Sequence, residues 1–284
     1  MKAPAKINLT LEVLARRSDG YHGVRSVMVP LDLADELAFE PASAFSFDCD
    51  RRELADERNL AVKALESACG SLPPVRMLLS KRIPVQAGLG GGSSDAAAVL
   101  RAAMSGAFGP PPPKDWLRLA RDLGSDVPFF LAGTAALVEG TGERVTPAGA
   151  IAQWHVMIVK PPVALSTGEA YRELDEHERP QRPRNGSASI AMLEALQRGD
   201  FPTVEAMLQN DFHEITAARA PEIAGAIEAL RAAGASNALL AGSGSCVFTL
   251  AERGDTLQAI AQRVRLPQTF ARILTRFAAT PEWR

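Results

Sequence analysis

Residues 84–97 read PVQAGLGGGSSDAA, a glycine-rich turn that leads through two serines into an alanine-rich segment. Successive glycines can adopt positive φ angles and present backbone N–H groups without side chains in the way. If a helix begins at Ser93, these N–H groups and the helix dipole converge on one point, which is an anion site. The hydroxyls of Ser93 and Ser94 can contact a phosphate oxygen or Mg²⁺, and Asp95 can cap the helix or help to hold a cation. The stretch therefore predicts a phosphate-binding loop.

The alternative is a tight turn whose glycines only allow a helix to pack closely on a sheet, since short glycine motifs often match by chance. Three familiar nucleotide loops do not fit the stretch. A P-loop ends in Gly-Lys-Ser/Thr, and this loop has no lysine. A Rossmann fingerprint directly follows the first strand and has an acidic residue about 20 positions later, whereas this loop begins only at residue 84, after several predicted strands. The HRD and DFG segments of protein kinases are also absent, so we expect a different type of phosphate loop.

Periodic segments on both sides of the loop predict a mixture of strands and helices. Alternating or compact apolar residues predict strands over 5–14, 24–31, 36–39, 75–80, 134–138, 155–159, 238–240, 246–250 and 270–274. Apolar residues at helical spacing predict helices over 59–69, 93–104, 116–123, 190–197, 201–208 and 222–233. Proline in 109–113 and polar residues in 177–187 predict two loops.

The order of these segments indicates two α+β halves, because strands dominate the first part and helices followed by strands dominate the second. A chain of 284 residues is comfortable for two domains. The boundary falls within about 150–162. We expect an N-terminal domain over residues 1–155, which carries the glycine loop, and a C-terminal domain over residues 156–284.

Composition limits the function classes. With 46% hydrophobic and 23% charged residues, the chain is typical of a globular protein with a sizeable core. A formal net charge of −2 provides no global basic field for nucleic acid or an anionic membrane. Cys49, Cys69 and Cys246 stand far apart without CxxC spacing, which favours a reducing compartment. We expect a cytoplasmic protein without a signal peptide or a membrane span, since no apolar run is long enough.

Three motifs in order resemble those of the GHMP kinases, the family of galacto-, homoserine, mevalonate and phosphomevalonate kinases. The central one is residues 84–97. The segments PAKINL at 4–9, RSDGYH at 17–22 and LAGSGSCVF at 240–248 resemble the branch whose acceptor is 4-diphosphocytidyl-2-C-methyl-D-erythritol. The resemblance runs over nearly the whole chain. Two positions depart from the family pattern, because Gln86 replaces a small residue and Met104 replaces a frequent Asn.

The resemblance implies a two-domain GHMP kinase fold of the α+β class. Its N-terminal half would be ribosomal protein S5 domain 2-like and would bind ATP, and its C-terminal half would be ferredoxin-like. ATP and the acceptor would meet in the cleft between them, with Mg²⁺ as cofactor. The implied reaction phosphorylates the 2-hydroxyl of the cytidyl substrate in the non-mevalonate route to isoprenoid and terpenoid precursors. The implied partners are these small molecules, with no nucleic acid or membrane, and the implied state is a monomer or weak homodimer.

Two residues are the candidates for catalysis. Residues 124–128 read GSDVP and match the segment that carries the family's aspartate, so the resemblance implies that Asp126 is the general base. Without the resemblance, a helix cap after Gly124 would be the favoured interpretation of Asp126. Lys6 is implied as its partner, where an ammonium offsets charge on the reacting oxygen, although a lysine at a strand end is usually solvated. Asn8 lies two residues on and shares the strand face of Lys6.

The resemblance extends to the binding residues. The ATP site would include Gly88, Leu89, Gly90, Gly91, Gly92, Ser93, Ser94, Asn59 and Lys81. The acceptor site would include Asn8, Tyr21, His22, Tyr171, Gly242 and Ser243. His22 would read the cytosine edge and Tyr171 would stack on the base, while residues 242–245 would form a second backbone nest for phosphate. The alternatives are a surface histidine, a core tyrosine and a simple hairpin turn.

Two other functions compete with this prediction. Another GHMP kinase would act on homoserine, a sugar or a mevalonate derivative, but such acceptors carry no base for Tyr21 and His22 to recognise. A non-catalytic nucleotide- or RNA-binding module would not need Lys6 and Asp126, and the sequence has no basic stripe. The arginines near the C-terminus (Arg263, Arg265, Arg272 and Arg276) are interpreted as a solvated face.

Overall fold

A computed structural model describes residues 1–16, 20, 22–111, 113–176 and 186–279. Its strands are β1 (Lys2–Asn8), β2 (Thr10–Arg16), β3 (His22–Pro41), β4 (Ser46–Cys49), β5 (Val75–Ser80), β6 (Ala136–Gly140), β7 (Arg144–Pro147), β8 (His155–Lys160), β9 (Gln209–Asn210), β10 (Leu239–Leu240), β11 (Val247–Ala251) and β12 (Ala271–Arg276). Its α-helices are α1 (Leu60–Cys69), α2 (Gly91–Met104), α3 (Trp116–Leu123), α4 (Val127–Ala132), α5 (Thr167–Glu176), α6 (Ser187–Arg198), α7 (Phe201–Ala206), α8 (His213–Arg219), α9 (Pro221–Ala232) and α10 (Gly254–Arg263).

The first sheet is organised around the long strand β3, which pairs antiparallel with β1, β2, β5 and β6. The prediction of two strands over 24–31 and 36–39 is wrong, because β3 runs without interruption through residues 32–35. Within this segment, Ala34 and Asp35 are buried and pair with β1 next to a register shift. The predicted strand over 5–14 is instead two strands that separate at Leu9.

The second sheet contains β10, β11, β8 and β12 in that order, all antiparallel. The short strand β9 lies between β8 and β10 in the sequence, but it pairs in parallel with β2 of the first sheet. One hydrophobic cluster also joins the two sheets, with Ile7 and Val29 from the first and Ile158 and Phe248 from the second. The prediction of α+β secondary structure is confirmed by these two sheets and their helices. The division at 155/156 stays a prediction.

The helix after the glycine loop begins two residues earlier than predicted. Gly90 is its N-cap with φ near +73°, and Gly91 is its first helical residue. The other predicted helices form with shifts of a few residues at their ends, but α4, α5, α8 and α10 were missed. The six residues of α4 read VPFFLA, an apolar run without helical periodicity, and Pro128 in its first turn favours the helical start.

The two predicted loops lie partly outside the described residues. Pro112 of the first loop and 177–185 of the second are not described, and Ser187 already belongs to α6. Among the described helices, none combines the length and the apolar character that a bilayer crossing requires.

Candidate active site

The glycine turn and the C-terminal turn at 241–246 pack directly against each other. Gly88 has φ near +75°, and a Cβ placed on it would come within 1.9 Å of the Ala241 carbonyl oxygen. The backbone N–H of Cys246 donates to the Ala87 carbonyl oxygen at 3.2 Å. Any side chain at position 88 would therefore separate two segments that the sequence places far apart, which explains the glycine at this position.

The N-terminus of α2 lies at the centre of this arrangement. The first N–H groups of any α-helix have no intrahelical acceptor. In α2 the N-cap residue is Gly90, which has no side chain to cap them. A Cβ on Gly92 would meet nothing within 4 Å, whereas one on Gly91 would contact buried neighbours. The helix spans 14 residues and carries its dipole to this point. This geometry suits an anion, and phosphate binding by residues 84–97 stays a prediction.

Lys6 and Asp126 face each other beside the glycine turn. Lys6 Nζ lies 3.5 Å from Asp126 Oδ2, and the Asp126 side chain is one-third exposed while that of Lys6 is buried. The Lys6 backbone N–H donates to the Leu89 carbonyl oxygen at 3.0 Å, which ties β1 to the loop. Asp126 occupies the N-cap position of α4, yet its side chain makes no capping hydrogen bond. Its carboxylate therefore faces the lysine and the cleft, contrary to the helix-cap interpretation.

A cleft opens from this pair in two chambers. The inner chamber has a volume of about 300 Å³. Its walls include the predicted site residues Lys6, Asn8, Gly88, Gly90, Asp126, Tyr171, Gly242 and Ser243. The outer chamber has a volume of about 720 Å³. Its walls include His22 and three arginines, Arg16, Arg121 and Arg172. Ser125, Thr141, Thr167 and Tyr171 border both chambers, so the two form one continuous cleft.

Aromatic rings stand where the two chambers meet. The rings of His22 and Tyr171 are stacked with centroids 5.8 Å apart, and Tyr171 packs edge-on against Phe212 at 4.9 Å. Both ring nitrogens of His22 lie near acceptors, Nδ1 at 3.0 Å from the Leu14 carbonyl oxygen and Nε2 at 3.0 Å from Asp175 Oδ1. Tyr21 lies outside the described residues.

Two predicted ATP-site residues have partners within the protein. Asn59 caps α1, accepting from the Ala61 N–H at 3.0 Å and donating to the Leu54 carbonyl oxygen at 2.9 Å. Lys81 is buried between two carboxylates, donating to Asp35 and, at 2.7 Å, to Asp95. Lys81 thus provides a cationic partner for Asp95 within the protein. Contacts of Asn59 and Lys81 with adenosine stay a prediction.

The charged groups of this buried cluster shift one another's pKa values. Burial by itself lowers the pKa of Lys81, but Asp95 and Asp35 outweigh that effect and hold it above its usual value. Burial raises the pKa of Asp95 above its usual range; Lys81 opposes that rise and the Asp35 carboxylate adds to it. The Asp95 Oδ1 atom and the neighbouring Ser94 hydroxyl are buried and have no hydrogen-bond partner among the described residues.

Sequence reasoning missed several residues of the site. Ser26 hydrogen-bonds Asn8, and Asp35 binds Lys81. The one local signal was a carboxylate inside an apolar strand at Asp35, which was interpreted as a break. Ser26 gave no signal, because its role depends on the pairing of β3 with the first two strands.

Two family models match the chain, and both describe GHMP kinases. The N-terminal domain model covers residues 57–134, and the C-terminal model covers residues 192–267. These matches agree with the fold and with the glycine loop. The class of protein that this fold and site define is therefore the GHMP kinases.

Comparisons with individual proteins narrow the class. The chain is 42% identical to the 4-diphosphocytidyl-2-C-methyl-D-erythritol kinase of Deinococcus radiodurans, over 94% of this chain and 88% of the relative. It is also 42% identical to the enzyme of that name from Symbiobacterium thermophilum, over 92% and 93%. A crystal structure of 4-(cytidine 5'-diphospho)-2C-methyl-D-erythritol kinase superposes with a TM-score of 0.78 at 38% identity, over 98% and 99% of the two chains. The chain belongs to the 4-diphosphocytidyl-2-C-methyl-D-erythritol kinase family.

Proposed function

We propose that this protein transfers the γ-phosphoryl group of ATP to the 2-hydroxyl of 4-diphosphocytidyl-2-C-methyl-D-erythritol, giving the 2-phosphate and ADP. The reaction would belong to the non-mevalonate route to isoprenoid precursors. The observation that carries the proposal is the Lys6–Asp126 pair, which lies between the helix N-terminus of α2 and a chamber with aromatic walls. Family membership supplies the identity of the acceptor.

The chemistry of the site follows from its geometry. Phosphoryl transfer requires an oriented hydroxyl, in-line placement and neutralisation of charge on the transferred group. Asp126 is partly exposed to the cleft and would accept the hydroxyl proton. The Lys6 ammonium would stabilise the reacting oxygen, and the N–H groups at the start of α2 would stabilise the phosphate oxygens. Gly242 and Ser243, which face the same chamber, would close over the transferred group.

The outer chamber suits the cytidyl diphosphate part of the acceptor. Tyr171 and His22 offer stacked aromatic faces for a base. Arg16, Arg121 and Arg172 border the same chamber and can offset the diphosphate charge. Homoserine and mevalonate contain no base, so these side chains favour the cytidyl acceptor over the acceptors of other GHMP kinases.

Mg²⁺ is part of the proposal as an ion that arrives with ATP. Among the described residues, no group of three or more His, Cys, Asp or Glu side chains could hold a metal ion. The unpartnered Ser94 hydroxyl at the start of α2 nevertheless fits an oxygen-rich ligand such as a magnesium-bound triphosphate. When bound, Mg²⁺ would neutralise charge on the β- and γ-phosphates. The proposed setting is the cytoplasm, in keeping with the three isolated cysteines.

The experiment incubates the protein with ATP and Mg²⁺ and follows ADP release with a panel of acceptors. The panel contains diphosphocytidyl-methylerythritol, homoserine, mevalonate and galactose. We expect turnover with the cytidyl acceptor and a kcat/KM at least about 10³-fold lower with the others, because a site built around polar contacts rejects ligands that lack them. Turnover of homoserine or mevalonate instead of the cytidyl acceptor would refute the proposed substrate but not the kinase class.

A further inference from the structure

A series of hydrogen-bonded polar side chains continues from Lys6 along the wall of the inner chamber. Lys6 Nζ donates to Asn8 Oδ1 at 2.8 Å, and Asn8 Nδ2 donates to Ser26 Oγ at 2.7 Å. Ser26 Oγ in turn donates to the Thr10 carbonyl oxygen at 2.5 Å. All four residues are at most 4% exposed, so these hydrogen bonds are largely shielded from water although the side chains border the chamber.

The donors and acceptors in this series of hydrogen bonds can be arranged in only one direction. The Thr10 carbonyl oxygen can only accept, so the Ser26 hydroxyl must donate its hydrogen there. The remaining lone pairs of Ser26 Oγ must then accept from the Asn8 amide, which places Asn8 Nδ2 toward Ser26. The other end of that amide, Oδ1, consequently faces Lys6, where the ammonium can only donate. Reversal of the amide would place NH₂ against NH₃⁺ in a buried site.

We infer that Ser26 is a positioning residue for phosphoryl transfer, because its hydroxyl fixes the Asn8 amide in the orientation that holds the Lys6 ammonium beside Asp126. The inference rests on the proposed function for the roles of Lys6 and Asp126. Lys6 lies 3.5 Å from Asp126 in this arrangement. Loss of the Ser26 hydroxyl would allow the amide to rotate, and the ammonium would lose its fixed acceptor while the walls of the cleft remain.

A second series of hydrogen bonds, which involves the Thr10 side chain, provides a matched control. The Val27 N–H donates to Thr10 Oγ1, which lies 2.8 Å from Ser189 Oγ, and the Ser189 hydroxyl reaches Glu12 Oε2 at 2.6 Å. Ser189 is as buried as Ser26. This second series of hydrogen bonds leads from Thr10 to Ser189 of α6 and does not include Asn8. Loss of the Ser189 hydroxyl therefore removes buried hydrogen bonds without releasing the Asn8 amide.

The kinetic test compares Ser26→Ala with Ser189→Ala. We expect Ser26→Ala to lower kcat about 10-fold with both KM values within about twofold, since a misplaced catalytic group costs rate more than binding. Ser189→Ala should keep kcat within about twofold despite a comparable loss of thermal stability. An unchanged kcat in Ser26→Ala, an equal kcat loss in both variants, or a raised acceptor KM at constant kcat would each overturn the inference. The last result would mean that Ser26 contacts the substrate, since it borders the inner chamber.

A second measurement needs no turnover. The Asn8 side-chain amide signal can be assigned by NMR through its disappearance in Asn8→Asp. We expect its hydrogens to exchange at least about 10-fold more slowly in the native protein than in Ser26→Ala, and to exchange at the native rate in Ser189→Ala. Equal exchange in native protein and Ser26→Ala would refute the positioning role. Absence of any kinase activity in the native protein would refute the proposed function and leave this orientation result intact.

Discussion

Lys6 and Lys81 flank the same glycine turn and are both almost fully buried. A Cβ on Gly90 would touch the Lys6 side chain at 3.2 Å, and one on Gly91 would lie 3.3 Å from Lys81 Nζ. Their partners differ. Lys6 faces one carboxylate that is one-third exposed to the cleft, whereas Lys81 lies between two carboxylates that are almost completely enclosed.

The difference shows how one residue type can serve two purposes beside the same glycine turn. An ammonium beside a partly exposed carboxylate leaves room for a substrate and keeps its charge available to it. An ammonium that is enclosed by two carboxylates has its charge satisfied within the protein and holds together the segments that carry them. Lys81 thereby joins the end of β5 to Asp35 of β3 and to Asp95 of α2. We expect Lys6 to determine rate and Lys81 to determine stability.

The largest expected effect is that of Asp126→Asn. Loss of the proposed general base should lower kcat on the order of 10³-fold, while ATP binding should change little because the carboxylate faces Lys6 and the inner chamber. Steady-state kinetics and equilibrium nucleotide binding measure the two effects. The control is Asp122→Asn, an exposed position on α3. Loss of ATP binding in Asp126→Asn would mean that this residue has a structural role.

Lys81→Met comes next and should act on stability. Two buried carboxylates would remain without their cation, and breaking a buried ion pair from one side costs about 3–5 kcal/mol. Urea unfolding followed by circular dichroism gives the free energy of unfolding. The exposed Lys63 on α1 offers the same substitution as a control, which should change that free energy by less than about 0.5 kcal/mol. A fully stable Lys81→Met with a lost kcat would reverse the proposed division between the two lysines.

Lys6→Met should act mainly on rate. Removal of one charged donor from the reacting oxygen costs about 10²-fold in kcat. The KM for ATP should stay within about threefold if Lys6 acts mainly in the transition state. Folded Lys81→Met, assayed in parallel at low temperature, should keep most of the native kcat. Equal kcat values in the two variants would contradict the contrast between the lysines.

The smallest expected effect is the pH dependence of Asp95→Asn. The folded-state pKa of Asp95 lies above its unfolded value. Its contribution to stability is therefore fully present below the unfolded pKa and is lost as the pH rises through the folded pKa. Asparagine does not titrate. The difference in unfolding free energy between Asp95→Asn and the native protein should shift in favour of the variant by about 1.4 kcal/mol for each pH unit from pH 5 up to the folded pKa of about 7. A difference that is independent of pH would show that Asp95 titrates normally.

Much of the glycine loop was accessible to sequence reasoning because its physics is local. Positive φ angles favour glycine, although Gln86 also adopts one (φ near +52°), and the run of small residues after the glycines predicts a helix that can approach closely. The helix start was misplaced by two residues because Gly91 and Gly92 are poor helix formers in isolation. In the folded protein, a Cβ on Gly91 would come within 3.2 Å of the Ile83 side chain and 3.3 Å of Lys81 Nζ, so tertiary packing restricts the residue type at this position.

The long strand β3 shows where local reasoning failed. Residues 32–35 contain two aspartates, and acidic residues disfavour strands when only propensity is considered. Asp35 is buried nevertheless, because its carboxylate accepts from the Arg82 and Ile83 backbone N–H groups as well as from Lys81. These donors lie almost fifty residues away along the chain, so no window around Asp35 contains the reason for its burial.

The amino-acid sequence carried the phosphate loop, the family resemblance and the identity of the candidate pair Lys6 and Asp126, because these depend on residue type, spacing and short-range geometry. The resemblance assigned Lys6 to catalysis and Lys81 to the ATP site, but the sequence did not indicate that Lys81 is enclosed by two buried carboxylates whereas Lys6 faces one partly exposed carboxylate. That distinction is set by which carboxylates the tertiary fold brings to each ammonium, and by whether the cleft reaches them. Burial and distant partners decide the energy of a charge, and both arise only when the two sheets and the helix α2 pack together.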